Sequence, residues 1–277
     1  AILRDNGVPV PTGLVVGRDD SMEIEFPVPA VVKAQAWTTS RYAKGLIRFA
    51  TSAREVREQI ESLRRRDVDG FPIEDVLVEE RLAIDKELFF SYYIDDDLAR
   101  GRYLFSTVGG SGIEEILSTD RSLWRIGDVE TLDHVRVHRV REVIRKTGIA
   151  GRDLIKLADL VAGALAIARK IEARSLEINP IVRTTDGAYL AADCRITVDD
   201  YAVFRHPELG IEIARDLSHP PTTLDRIAYA VEQNDYRGTF FFTQLARPSS
   251  RKERYVGFHG AGGGGSMMSL DALQNRG

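Results

Sequence analysis

Residues 175–198 constrain this chain more than any other stretch. Ser175 to Val182 is apolar and partly β-branched, Ala188 to Val198 carries such residues again, and Thr184-Thr185-Asp186-Gly187 lies between them. Two such runs around an Asp-Gly pair predict a β-hairpin, with Asp-Gly supplying the positive-φ positions of a tight turn. Glu177, Asn179 and Asp193 lie along this hairpin. They carry hard oxygen donors of the kind Mg²⁺ accepts, normally one or two carboxylates completed by substrate phosphates. Asn179 and Asp193 stand at similar distances from the turn, so folding brings them to the same end of the hairpin. Whether they share a face is left open, because a slip of one residue turns every side chain over. Taken singly, an Asn-Pro pair more often ends a strand, and a lone aspartate is more often a solvated or hydrogen-bonded carboxylate.

The 277 residues can bury a sizeable core and are expected to divide into two or three subdomains. With 38 basic and 42 acidic residues the net charge is −4, which gives no global field for a polyanion, so no nucleic-acid partner is expected. No apolar run approaches the ~20 residues of a membrane span, so no membrane partner is expected either. The single cysteine, Cys194, can form no internal disulfide and reads as a buried core thiol. That suits a reducing compartment: the cytoplasm, or the mitochondrial matrix in a eukaryote.

Patterning along the chain predicts strands over 13–16 and 30–36, then a helix over 52–66. Ser52 is its N-cap, Val56, Ile60 and Leu63 form its apolar stripe, and arginines close its last turn. Strands follow over 76–79, 86–94 and 102–107, and helices over 134–146 and 153–173. Beyond the hairpin a helix is expected over 224–231, with strands over 239–245 and 254–258. The acidic run Asp95-Asp96-Asp97 reads as a solvated turn. Lys33 stands in the apolar strand AVVKAQA, where a lysine is rarely buried without a partner. A solvent-facing edge lysine and a phosphate-binding one are both compatible with that pattern.

Three segments together carry a family resemblance: SLEINPIVRTTDGAYLAADCRITVDDYAVFRHPEL (175–209), AVVKAQA (30–36) and LVEERLAIDKE (77–87). In them the chain resembles the ATP-grasp acyl-CoA ligases, in particular the β subunits of succinyl-CoA synthetases. The resemblance implies an α/β (α+β ATP-grasp) fold with a small subdomain over 12–82 and a large subdomain over 1–11 and 83–218. The beginning of a C-terminal, flavodoxin-like acyl-CoA ligase domain would occupy 219–277. Both ends then read as cut, since the first residue is not Met and 277 follows what resembles the opening helix of a further domain. The resemblance implies that Asn179 and Asp193 hold Mg²⁺, and that Glu177 faces the phosphorylated histidine of a partner α-like subunit, which also binds CoA. It assigns Lys33 to the nucleotide phosphates, Glu79 and the backbone near Leu82 to the adenine edge, and Glu87 to the ribose. Pro11, where the family often has a residue influencing the base, hints at ATP rather than GTP.

One departure matters. The family's phosphate loop is glycine-rich, so that backbone N–H groups can approach the phosphates. Here it reads Trp37-Thr38-Thr39-Ser40-Arg41-Tyr42-Ala43-Lys44-Gly45. Ser40, Arg41 and Tyr42 are the candidate nucleotide contacts left in it. The second glycine-rich stretch, HGAGGGG at 259–265, resembles the turn that opens the acyl-CoA ligase domain, which points His259 at a small carboxylate substrate. His259 replaces the asparagine of succinyl-CoA synthetases, which puts succinate itself in doubt. Two other readings stay open: another ATP-grasp carboxylate ligase, such as an ATP-citrate-lyase-like chain, and a non-catalytic ATP-grasp binding or assembly subunit with a degraded phosphate loop.

Overall fold

Alternating apolar residues build two antiparallel sheets in the computed structural model, which describes residues 1–22, 25–38, 41–129, 135–215, 217, 219–238, 240–242, 257–260 and 262–275. The chain divides into two compact units, Ala1–Pro221 and Thr222–Gly277. The first unit opens with a one-turn helix α1 (Ile2–Asp5) and strands β1 (Gly13–Val16), β2 (Ala30–Gln35) and β3 (Ile47–Ala50). Helix α2 (Ala53–Arg64), the small hairpin β4 (Asp67–Val68) and β5 (Phe71–Pro72), and β6 (Asp75–Glu80) follow. Four of these strands form one sheet in the order β1-β6-β2-β3, every pair antiparallel.

Helix α2 covers one face of that sheet for reasons already visible in its residues. Ser52 accepts a hydrogen bond from the Glu55 N–H at 3.2 Å and caps the first turn. Val56, Ile60 and Leu63, spaced to share one face, are fully buried with Val32, Ala34, Val76 and Val78.

The larger sheet draws on β7 (Ile84–Asp95), β8 (Arg100–Ser106), β9 (Trp124–Val129), β10 (Ala173–Thr184), β11 (Tyr189–Ala191) and β12 (Cys194–Val198). Its order is β11-β10-β7-β8-β9, with β12 also paired to β10. Helices α3 (Ile113–Thr119), α4 (Val137–Arg145) and α5 (Gly151–Lys170) complete the unit. Leu157, Val161, Leu165 and Ala168 of α5 pack in one core with Leu176 and Ile178 of β10 and Phe90 and Phe105 of the neighbouring strands. Alanines at 158, 162, 164 and 168 keep the helix surface low, so the apolar side chains of the sheet meet it closely.

The expected hairpin is present, with differences that follow from local geometry. Gly187 alone has positive φ in the turn, at +80°, so Asp186 does not share that role. Strand β10 runs through Asn179-Pro180 instead of ending there, and its register against β7 shifts between Ile178 and Ile181. The return strand answers that irregularity by dividing in two: β11 pairs with Ile181–Arg183, and β12 with Ala173–Ile178.

A clip closes the base of the hairpin. Glu172, at φ +52°, receives Arg205 in two-pronged fashion, Nε to Oε1 at 2.8 Å and Nη2 to Oε2 at 2.6 Å. His206 stands between carboxylates, with Nε2 3.1 Å from Glu172 and Nδ1 3.1 Å from Glu208. The Arg205 hydrogen bonds, aided by His206, hold the Glu172 carboxyl down at about 2. The unfolded chain therefore binds the proton more readily than the folded one, so this stabilisation is complete above the ordinary glutamate range and is lost as pH falls toward 2. Urea midpoints measured from pH 6 to pH 2.5 are expected to favour the parent over Glu172→Gln at pH 6, with the gap closing below about pH 4. A gap independent of pH would show that the clip is not held by charge.

In the second unit, Thr222 and Asp225 form a reciprocal cap on helix α6 (Thr223–Gln233). Helix α7 (Gly263–Gln274) begins inside the glycine run, so Gly263–Gly265 form its first turn instead of an open loop. Residues 240–242 and 257–258 are not in strands. The remainder of the two strands expected there lies outside the described residues. No described helix is long and apolar enough to cross a membrane.

Candidate functional site

The open question of the hairpin's faces is settled by its register. Ile178 pairs with Cys194, and the Asn179 N–H donates to the Asp193 carbonyl at 3.3 Å. Ile178 and Cys194 pack into the core, so Asn179 and Asp193 share the opposite face of the sheet. Glu177, paired with Arg195 on one side and Ser91 on the other, lies on that same face. Burial first, then the neighbouring charges of Asp193 and Glu177, push the Cys194 thiol up to about 12. It is a packed core group and no nucleophile at neutral pH.

Onto this face the smaller sheet brings two cations. Lys33 leaves the middle of β2 and pairs with Glu79 of β6 at 2.6 Å, both side chains only about a tenth exposed. Its ammonium also donates to the Ala192 carbonyl at 2.8 Å, next to Asp193. The buried lysine thus has the partner its position demands, and the pair was not visible in the pattern, because Glu79 was expected at a base edge. Its carboxylate instead faces the lysine. Arg41 Nη2 binds Asp193 Oδ2 at 2.5 Å and its Nη1 donates to the Ala34 carbonyl at 3.4 Å. Asp193 Oδ1 accepts from the Cys194 N–H at 2.9 Å, which pins the carboxylate in place.

The opposite edge of the site is backbone. Gly110 N–H donates to Asn179 Oδ1 at 2.7 Å, and the Asn179 amide donates back to the Gly110 carbonyl at 3.5 Å. A Cβ on Gly109 would sit 2.3 Å from the Leu88 carbonyl oxygen, so this loop is pressed on β7. Gly110 has φ +88°, and a Cβ there would lie 2.3 Å from Glu87 Oε2. Gly110→Ala is therefore expected to lower unfolding free energy by about 1–3 kcal/mol and to release the Asn179 amide. Urea unfolding measures the first effect. A substitution without cost would show that the loop relaxes freely. The block Gly109-Gly110-Ser111-Gly112-Ile113-Glu114, which also resembles the family, is the sequence signal that marks this cradle.

Lys33, Glu79, Arg41, Asn179 and Asp193 therefore form one connected cluster, with Glu87 exposed at its Gly110 end. The Glu80 and Arg81 N–H groups are taken by the Thr12 and Pro29 carbonyls. Leu82, in the link between β6 and β7, has no hydrogen bond to its peptide groups among the described residues, so a donor and an acceptor are available side by side. Tyr42 is exposed on the turn after Arg41, and Lys44 donates to the Thr38 hydroxyl. Ser40 lies outside the described residues. His259 is exposed in the second unit.

Oxygen donors suitable for a hard cation are present but sparse. Among the described residues no three acidic, histidine or cysteine side chains come together as a metal cluster. One carboxylate and one amide oxygen are donors that fit a Mg²⁺ ion whose remaining ligands are phosphate oxygens and water, with Arg41 on Asp193 Oδ2 in this structure.

The profile of the ATP-grasp domain family matches residues 1–183. Over 278 residues the chain is 30% identical to the GDP-forming succinate–CoA ligase β subunit of Thermus thermophilus, covering 99% of this chain and 68% of that one. It is 29% identical to the ADP-forming β subunit of Ignicoccus hospitalis over 276 residues, again 99% and 68%. With that of Methanocaldococcus jannaschii it shares 32% over 206 residues, or 74% of this chain and 57% of the relative. The fold is similar to that of ATP citrate lyase from Methanothrix soehngenii, at TM-score 0.61 and 15% identity, over 80% of this chain and 53% of that one. It is also similar to an acetyl-coenzyme A synthetase from Ca. Korarchaeum cryptofilum, at TM-score 0.53 and 20% identity, over 71% and 89%.

Proposed function

The chain belongs to the ATP-grasp family, and within it to the succinate–CoA ligase β subunits, and we propose that it is the nucleotide-binding, β-like part of an ADP-forming acyl-CoA synthetase. This acid–thiol ligase would join a small carboxylate to CoA at the expense of ATP, together with an α-like partner subunit that carries a phosphohistidine and the CoA site. The observation that carries the reading is the junction at Asp193. There a buried lysine from one sheet and an arginine from its loop converge on the oxygen donors of the other.

In this reading the free peptide groups of Leu82 hold the adenine edge and Glu87 the ribose. Tyr42 closes over the nucleotide, and Ser40 is assigned to the same ligand by the family resemblance alone. Lys33 meets the phosphates as a point charge fixed by Glu79, and Arg41 supplies a second cation. Asn179 and Asp193 would hold Mg²⁺, which neutralises phosphate charge when bound. The γ-phosphoryl group passes from ATP to a nitrogen of the partner's histidine, with ADP as the leaving group, through a loose transition state, so positioning and charge account for most of the catalysis. Glu177, on the same sheet face, accepts the imidazole's other N–H and keeps the attacking nitrogen aimed. The phosphoryl group then moves to the carboxylate, and CoA thiolate displaces it to give the thioester. His259 is assigned to that carboxylate. ATP is favoured over GTP by Pro11, although relatives of both kinds exist. The cytoplasm, or the mitochondrial matrix in a eukaryote, is the compartment that fits the lone buried thiol.

One observation favours a second reading, a binding subunit without catalysis. The loop from Trp37 to Gly45 has a single glycine, and Trp37 and Tyr42 stand exposed on it. Calorimetry with MgATP and MgGTP on the chain, followed by coexpression with an α-like subunit and a screen of short carboxylates, separates the two. The ligase reading expects MgATP binding and ADP release that requires both CoA and one carboxylate. MgATP binding with no ADP release under any pairing would favour the binding subunit.

A further inference from the structure

The Arg41–Asp193 contact puts a cation on the carboxylate assigned above to the metal. Asp193 is the only carboxylate of its pair with Asn179, and its Oδ1 is already tied to the Cys194 N–H at 2.9 Å. Arg41 holds the remaining oxygen at 2.5 Å. The arginine does not reach across by chance. Its carbonyl accepts from the Leu46 N–H at 2.9 Å, and the Tyr42 carbonyl accepts from Gly45 N–H at 2.9 Å, so a closed turn fixes its backbone. Its side chain is 18% exposed, and the second terminal nitrogen of its guanidinium is steadied by the Ala34 carbonyl. Lys33 already has Glu79 as its counterion, so Arg41 is the cation at this site that neutralises the metal carboxylate itself.

We propose that Arg41 is a positioning residue that makes metal loading conditional on nucleotide. Without nucleotide its guanidinium occupies Asp193 and excludes a divalent ion. A triphosphate offers it a denser set of anionic oxygens, draws it off the carboxylate, and leaves Asp193 to the metal carried with the phosphates. The inference rests on the nucleotide-binding reading above. It links the phosphate loop to the metal ligand through Arg41. The loop's charge is held on the metal ligand until the substrate arrives.

The test uses the full 277-residue chain and Mn²⁺ alone, followed by the electron paramagnetic resonance signal of the free ion, with MgATP calorimetry in parallel. Arg41→Gln and Arg41→Met are expected to bind Mn²⁺ without nucleotide at least tenfold more tightly than the parent. Arg41→Lys, which keeps the charge, is expected to bind it as weakly as the parent. Adding Asp193→Asn to Arg41→Gln should abolish the gain. Neutral variants that bind Mn²⁺ no better than the parent overturn the proposal, as does an Arg41→Lys variant that shows the full gain. If the parent still binds MgATP in that case, the nucleotide reading stands and only the latch is lost. If neither the parent nor any variant binds MgATP, the reading beneath it fails, and the latch with it.

Discussion

Lys33→Met is expected to cost the chain both stability and nucleotide binding. Lys33 and Glu79 lie 2.6 Å apart with side chains 11% and 10% exposed, so removing the ammonium leaves a buried carboxylate without its counterion. Breaking a buried pair from one side costs about 3–5 kcal/mol. That is a large part of the ~5–15 kcal/mol that holds a typical domain together. Urea unfolding followed by circular dichroism measures it, and a cost below about 1 kcal/mol would show that water reaches the pair. The double variant Lys33→Met, Glu79→Leu separates the two effects. Apolar residues of similar volume replace a buried pair at little net cost, so stability is expected to return. MgATP affinity is not, because the phosphate charge is still missing. Recovery of both would remove Lys33 from the site.

Asp193→Ala should divide its effects the other way. Its carboxylate is 38% exposed and Arg41 keeps its hydrogen bond to the Ala34 carbonyl, so the loss in stability is expected at about 0–1 kcal/mol. In the complex with an α-like partner, ADP release is expected to fall by about 10²–10³-fold, the scale on which removing one preorganised electrostatic group acts. Coupled-enzyme measurement of ADP with saturating carboxylate and CoA reads this out. Full activity in the variant would dismiss Asp193 as a metal ligand and the hairpin as the site. Two charged residues one sheet apart thus make opposite demands, one on folding and one on chemistry, and the difference comes from burial alone.

The elements that could be read in advance are those whose causes are local. Ser52 before an i, i+4 apolar stripe announces α2, and the recurring apolar residues of 154–171 announce α5, whose observed start at Gly151 precedes the expected one. Arg205, His206 and Glu208 of the clip lie within the 175–209 segment that carries the family resemblance. Their task was not legible there, because Glu172 and Arg205 are 33 positions apart. The glycine block at 109–112 resembles the family, but its contact escaped for the same reason. A glycine pair signals a close approach but not what it approaches, and here it is Asn179, 69 residues away.

By itself the sequence determined the hairpin, its Gly187 turn and the family, since each depends on neighbouring residues or on a motif carried whole. Only the tertiary structure decided that Asn179 and Asp193 face the same way. Strand side chains alternate with a period of two, and the register shift at 178–181 with the break at 192–193 lies inside the counting. It also decided that Lys33 is buried against Glu79 and that Arg41 is held on Asp193. Those partners are 46 and 152 residues away, and no periodicity along one strand specifies the acid that a neighbouring strand or a distant loop brings to it.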